Sequence, residues 1–351
     1  LEKGLDELGL RGKLRRFEHH FSHSANAYYA SGFERALILT LDGYGSGLAG
    51  SVGIGENGKI RRLKGFRFPH SLGSFYEAVT SSLGFNPDRH AGKIVGLAAY
   101  GDPEVLSEVV LSFFERTPGD YRIYENLNVY VSRHLAARFP KVDLAAAYQH
   151  VLELVACELA SYWLRETGCR DIVLSGGVTA NVKMNQRIHE LPEVENVFVY
   201  PNMGDGGCGT GLGLHLTTDG RLNGPLRDVY FGPEYGDAEI RRELERASLS
   251  FEEPKDLARE IARRVHAGQV IGRFRGRMEY GPRALGNRSI LYHAREPDVN
   301  QWLNKRLGRT EFMPFAPVTL WEARHRCYHG LAGAEHAAEL MTITFDCTVW
   351  M

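Results

Sequence analysis

Cysteine is scarce in this sequence: five residues among 351, scattered, with none in a CxxC arrangement. An odd, dispersed set of thiols excludes a disulfide framework. It speaks against a thiolate metal site and fits reduced thiols in a cytoplasmic protein. No apolar run approaches the ~20 residues that span a bilayer, and no signal-peptide pattern opens the chain. No membrane partner is therefore expected. Neither sign of charge is in excess, since 42 Lys and Arg face 43 Asp and Glu for a formal net charge of -1. No global field then favours nucleic acid or an anionic membrane. What remains, 43% apolar and 24% charged, is the composition of a soluble globular chain, long enough for one large domain or two ordinary ones. The chain opens on Leu1 and stops at Val349-Trp350-Met351 after a strand-like run, and both ends read as cut.

The stretch that organises the rest is Glu18-His19-His20-Phe21-Ser22-His23, followed by the small, helix-compatible Ser24 to Ala27. On a helix beginning near His20, His19 and His23 are four residues apart and project from one face. That spacing suits two imidazole ligands on one divalent metal. No Glu lies between them, so a zincin-type base is absent and peptide hydrolysis is not suggested. A polar helix end would give the same residues. A third ligand is offered far downstream by Asp205 in Gly204-Asp205-Gly206-Gly207. The strand-to-helix turn there leaves the carboxylate open to a metal, or to a role as helix cap.

Other segments read in order. Residues 36–41 are a short β-prone run ending in Asp42-Gly43-Tyr44-Gly45-Ser46-Gly47. That ending resembles the hairpin phosphate loops of actin-like ATPases, and equally a plain β-hairpin. Residues 48–55 and 59–65 complete a meander. Lys93, set among small and apolar residues, is either a buried cation awaiting an anion or a snorkelling surface lysine. Residues 143–167 read as the clearest long helix, with Leu144, Ala147, Tyr148, Val151, Leu154 and Val155 on one face and Gly168 closing it. A strand over 171–174 runs into Ser175-Gly176-Gly177 and Asn181, then a helix over 182–190, which aims backbone donors at a helix N-terminus. A further strand covers 197–200. After Pro225 a second unit shows helices over 237–247 and 254–268 and a strand over 270–274. Two basic stretches follow, 276–290 and 304–317, mixing Arg and Lys with Gly, Pro and Phe. That is an anion-binding composition.

Taken together these motifs resemble the O-carbamoyltransferase family, whose members act on nodulation factors, cephems and aminoglycosides. The matching stretches are HisHisPheSerHis at 19–23, LeuAspGlyTyrGly at 41–45, PheProHisSerLeuGly at 68–73 and GlyLysIleValGlyLeuAlaAlaTyrGly at 92–101. LeuSerGlyGlyVal at 174–178, GlyAspGlyGly at 204–207, GlyArgMetGluTyrGlyProArgAlaLeuGlyAsnArgSerIle at 276–290 and ProPheAlaPro at 314–317 continue in the same order. The resemblance implies an α/β fold: an actin-like ATPase (ASKHA) duplicated domain over 1–225 lacking its N-terminal strand region, then a linker and an incomplete YrdC-like domain over 226–351. It implies a metal on His19, His23 and Asp205, iron by family habit, with zinc or manganese also suited to the ligands. It implies ATP with Mg²⁺ and carbamoyl phosphate as substrates, joined into carbamoyladenylate, and a small-molecule hydroxyl acceptor such as a secondary metabolite or sugar. Homodimerisation is allowed for. The nucleotide falls to Asp42, Gly43, Gly45, Lys93, Ser175, Gly176, Gly177 and Asn181, and the fixed positive charge to Arg283, Arg288, Lys305 and Arg309. The chain departs from the family at Arg309-Thr310-Glu311-Phe312-Met313, where many relatives read Lys-x-Arg-Glu. It also lacks the family's opening His-Asp strand and its later Asn-Thr-Ser-Phe-Asn region. A tRNA threonylcarbamoyl-transferase, a sugar or acetate kinase and a non-catalytic nucleotide-binding module are the competing readings.

Overall fold

The structure, a computed structural model, describes residues 2–218, 224–295, 298–308 and 315–351. In chain order, α1 (Glu2–Glu7) and α2 (His19–Ser31) precede a meander of β1 (Arg35–Gly45), β2 (Leu48–Glu56) and β3 (Lys59–Arg67). Helices α3 (Leu72–Ser82), α4 (Pro87–Ala98) and α5 (Ser107–Leu111) follow, then the hairpin β4 (Phe114–Thr117) and β5 (Asp120–Ile123). Next come α6 (Glu125–Ala136), the long α7 (Lys141–Thr167), β6 (Asp171–Ser175), α8 (Val182–His189), β7 (Asn196–Val199) and α9 (Cys208–Thr218). Beyond residue 224 lie α10 (Asp237–Arg246), α11 (Leu257–His266), β8 (Ile271–Phe274), β9 (Arg288–Leu291), α12 (Val299–Arg306), α13 (Arg324–Cys327) and α14 (Glu335–Glu339).

The principal sheet has the order β3-β2-β1-β6-β7. The meander is antiparallel, whereas β6 pairs parallel to β1 and β7 parallel to β6. Side chains alternate across a strand, and here both faces are apolar. Leu37, Leu39 and Leu41 of β1 face a core built with Phe75 of α3 and Tyr148, Val151 and Val155 of α7. Ala36 and Ile38 face the other way, onto Ala25, Ala27 and Tyr28 of α2. That sandwiching is why β1 reads as an unbroken apolar run. A duplicated domain would supply two such sheets; the described residues hold one, with two small hairpins, β4-β5 and β8-β9.

Helix boundaries follow local chemistry. Gly32 and Gly168 take left-handed conformations and end α2 and α7. The expected buried face of α7 is present but wider than expected. It takes in Leu152, Ala156 and Leu159, while Leu154 is half-buried, because the helix runs through the core between α4 and α8. Residues 105–142, unreadable from the sequence, form α5, the β4-β5 hairpin and α6, whose short mixed-polarity strands carry no periodic signal. The packing does not divide at 225/226. Ala334, Ala337 and Ile343 lie in the first core, the Val197 N–H donates to the Gly333 carbonyl at 2.9 Å, and Asn185 Nδ2 donates to the Thr342 carbonyl at 2.8 Å. Among the described residues no helix is long and apolar enough to cross a membrane.

The turn after β6 depends on Gly176. Its φ of 97° lies where L side chains are strained, and a Cβ there would collide with the Leu41 carbonyl. Gly176→Ala is expected to lower stability by about 2–4 kcal/mol, read as a reduced urea midpoint with unchanged slope. A near-native midpoint would remove this constraint.

Candidate metal centre

The site forms where β1 and β6 end and α2 begins. Glu18, extended, caps α2 by accepting from the His20 and Phe21 N–H groups at 3.0 and 2.9 Å, and its carboxylate also pairs with Arg62. Helix formation from His19 then puts the rings of His19 and His23 against each other, their Nε2 atoms 3.1 Å apart. His23 is fully buried and its Nδ1 meets the Ser175 hydroxyl at 3.2 Å. His19 sits over Gly45, where a Cβ would overlap its ring.

Carboxylates close on this pair from two sides. Asp42 Oδ2 lies 2.9 Å from His19 Nε2 and 3.3 Å from His23 Nε2. Asp205 Oδ1 lies 3.4 and 3.5 Å from the same atoms. Asp205 is 76% exposed and is the first residue of a 3-10 turn, Asp205–Gly207, that has no side-chain cap bond. Burial opposes ionisation of Asp42, but its bonds with His19 and His23 outweigh it and hold the carboxyl far below the usual range. The bond to Asp42 in turn raises His19 above its ordinary value. Behind them, burial pushes His20 down to about 4 while its Nδ1 meets the Thr40 hydroxyl at 3.0 Å.

The convergence fits a metal. Two imidazole nitrogens facing each other at 3.1 Å, both within 3.5 Å of carboxylate oxygens, is an arrangement that one shared cation satisfies. A further donor belongs to the group: Cys208, whose Sγ lies 3.7 Å from His23 Nε2. Donor atoms of His19, His23, Asp205 and Cys208 all lie within 4.8 Å of one another. The sequence reading set thiolates aside for want of a CxxC pair. The sequence signal for it is Asp205-x-x-Cys208, a 3-10 turn over Asp205–Gly207 leading into α9.

The residues expected to hold a nucleotide divide. Asp42, Gly43, Gly177 and Asn181 line one cavity of about 220 Å³, with Gly73, Tyr76, Glu77, Asp88 and Leu152 among the other walls. Asp42 Oδ1 accepts from the Gly177 N–H at 3.0 Å, which ties the cavity to the metal cluster. Asn181 caps α8 through the Met184 N–H and bonds Gln149. Ser175 serves His23 and Gly45 serves His19 instead. Lys93 is buried in α4 with its ammonium 4.8 Å from the Phe85 ring, outside the cavity lining. Burial, with Asp88 and Asp42 nearby, raises the Glu77 carboxyl.

The arginine-rich stretch docks beside this centre. Tyr280 donates to the Gly206 carbonyl at 3.0 Å, and Arg283 Nη2 donates to Ala180, a cavity wall, at 3.3 Å. Burial pulls the Arg283 guanidinium below its ordinary value; its Nε is unbonded and no carboxylate pairs with it among the described residues. Glu279 Oε1 accepts from the Leu285, Asn287 and Arg288 N–H groups at 2.8, 2.7 and 3.1 Å and shapes the loop. Arg288 differs from expectation. It stacks on Phe274 at 3.7 Å and donates to the Arg275 and Gly276 carbonyls at 2.8 and 3.1 Å, so it staples the loop. Lys305 is exposed in the last turn of α12. Arg309 lies outside the described residues.

Gly45→Ala is expected to displace His19 without unfolding the chain, because the Gly45 backbone suits other residues. Metal affinity should fall about tenfold or more with the thermal midpoint nearly unchanged; undiminished affinity would detach the hairpin from the site.

Family models described as Carbamoyltransferase N-terminus and Carbamoyltransferase C-terminus match residues 7–214 and 262–350. The chain is 34% identical over 324 residues to nodulation protein NolNO of Sinorhizobium fredii, covering 87% of this chain and 47% of that one. It is 33% identical to nodulation protein NolO of Bradyrhizobium diazoefficiens, covering 87% and 58%, and 30% identical to the uncharacterized protein MJ1058 of Methanocaldococcus jannaschii, covering 93% and 59%. It thus spans about half the length of these relatives. Full-length HypF in its phosphate- and nucleotide-bound form aligns over 64% of this chain and 39% of its own at 15% identity, with a TM-score of 0.39. On the two family models and these identities, the chain belongs to the carbamoyltransferase family.

Proposed function

We propose that this chain carries the transfer centre of an ATP-dependent O-carbamoyltransferase. Carbamoyl phosphate would be hydrolysed to carbamate and inorganic phosphate, the carbamate oxygen would attack the α-phosphorus of Mg²⁺-ATP to give carbamoyladenylate with release of pyrophosphate, and the carbamoyl group would pass to a hydroxyl of a small-molecule acceptor with release of AMP. The observation that carries this reading is the convergence of His19, His23 and Asp205 beside the cavity lined by Asp42, Gly43, Gly177 and Asn181. The sheet order, an antiparallel meander continued by two parallel strands, supports an actin-like assignment for 1–225, and the basic stretches support a separate, YrdC-like origin for 226–351.

The residues divide the work by position. His19, His23 and Asp205 would hold a divalent metal, iron, zinc or manganese, which would supply Lewis-acid polarisation of the carbamoyl carbonyl. Ser175 fixes the buried His23 ring and Asp42 orients His19. Glycines at 43 and 177 let the backbone approach phosphate closely. Three carboxylates, Asp42, Glu77 and Asp88, share the cavity, so phosphates enter it best with Mg²⁺ as escort. Arg283, desolvated and without an acidic partner among the described residues, offers fixed positive charge at the Ala180 wall. In the transfer step the acceptor oxygen bonds the carbamoyl carbon, the carbon–oxygen bond to AMP breaks with AMP departing on that oxygen, and the hydroxyl proton passes to solvent.

Purified protein should hold near-stoichiometric metal that is lost in His19→Ala and in Asp205→Ala; metal unaffected by either change removes the site. With ATP and carbamoyl phosphate, pyrophosphate release is expected. ADP in its place would identify a kinase, and neither product a binding module.

A further inference from the structure

Cys208 is unused by the reading above and lies against its centre. The thiol is half-buried at the first turn of α9, with Sγ 3.7 Å from His23 Nε2 and 3.8 Å from His23 Nδ1. The other four cysteines, Cys157, Cys169, Cys327 and Cys347, are not in the cluster.

The separations can be compared with those a metal would impose. With metal–nitrogen bonds of about 2.0–2.1 Å and a metal–sulfur bond of about 2.3 Å, tetrahedral geometry sets nitrogens about 3.3 Å apart and nitrogen and sulfur about 3.6 Å apart. The observed values are 3.1 Å between His19 and His23 Nε2 and 3.7 Å from Cys208 Sγ to His23 Nε2; Sγ also rests 3.8 Å from His23 Nδ1, closer than the ~5 Å that a metal shared at Nε2 sets, so ligation calls for the thiol to turn from the ring toward Nε2. The Asp205 oxygen, 3.4 and 3.5 Å from the two imidazole nitrogens, fits the remaining corner. Cys208 shares a four-donor group in which every ligand atom lies within 4.8 Å of the others. Asp205, largely exposed, has room to draw in.

We propose that Cys208 is a fourth protein ligand, as thiolate, to a divalent metal held by His19, His23 and Asp205. This rests on the metal reading given above and adds to it the chemical character of the site. Binding releases the Cys208 thiol proton to solvent, forms the metal–sulfur bond and leaves every oxidation state unchanged. A thiolate in the set turns the site toward thiophilic and borderline ions, zinc, ferrous iron and cobalt, and away from magnesium and manganese. It also makes metal retention sensitive to thiol oxidation, since a sulfenic or sulfinic acid no longer offers that ligand.

The test is cobalt(II) added to metal-stripped, reduced protein, with Cys208→Ala, Cys157→Ser and His19→Ala as variants. Wild type and Cys157→Ser should bind cobalt with a near-ultraviolet thiolate-to-cobalt charge-transfer band. Cys208→Ala should bind it at least tenfold more weakly, with no such band but with the visible ligand-field bands retained. Cobalt bound by wild type without a charge-transfer band, or a band that survives in Cys208→Ala, overturns the inference and leaves the three-ligand site standing. If wild type binds no more cobalt than His19→Ala does, the metal reading itself falls and this inference with it.

Discussion

The parallel pairing of β1 with β6 is the constraint on which the site depends. Its register sets Leu37 against Ile172 and Thr40 against Ser175, so β6 ends beside Thr40 while β1 runs on past Asp42. That brings the Asp42 carboxylate to the Gly177 N–H and the Ser175 hydroxyl to His23. A slip by one residue would turn Leu37, Leu39 and Leu41 out of the core. The apolar pattern that stabilises the sheet therefore also fixes the geometry at its ends. Ligands of open α/β sheets commonly gather at such strand ends.

Electrostatics explains why the cluster can hold together. Asp42 remains a carboxylate despite burial because two imidazoles and a backbone N–H face it. Without those partners a carboxyl so enclosed would be neutral. The negative charge in turn raises His19 above its ordinary value. His20, one residue away but turned into the core, is held neutral by burial. Adjacent histidines thus take different roles because a helix sends successive side chains about 100° apart.

The arginine-rich loop illustrates how composition and role can part. Both Arg283 and Arg288 belong to a stretch whose make-up suits anions. Arg288 spends its donors on the loop's own carbonyls under Phe274, while Arg283 reaches the cavity wall and keeps its Nε unbonded. Glu279, with three backbone donors on one oxygen, decides which arginine faces where.

By itself the sequence determined the local elements: α2 with His19 and His23 on one face, the apolar strands, the long helix closed by Gly168, and the glycine turns. Each is set by periodicity or backbone freedom acting over a few residues, and the ordered motifs carried the family. Only the tertiary structure decided that Asp42 belongs to the histidines as well as to the cavity, that Lys93 turns away from it, that Arg288 is a staple, and that residues 331–346 pack on α8 and β7. Cys208 stands at the metal cluster for the same reason. Asp205 is near it in the chain, but His23, 185 residues away, is brought to it only by how α2 and α9 meet.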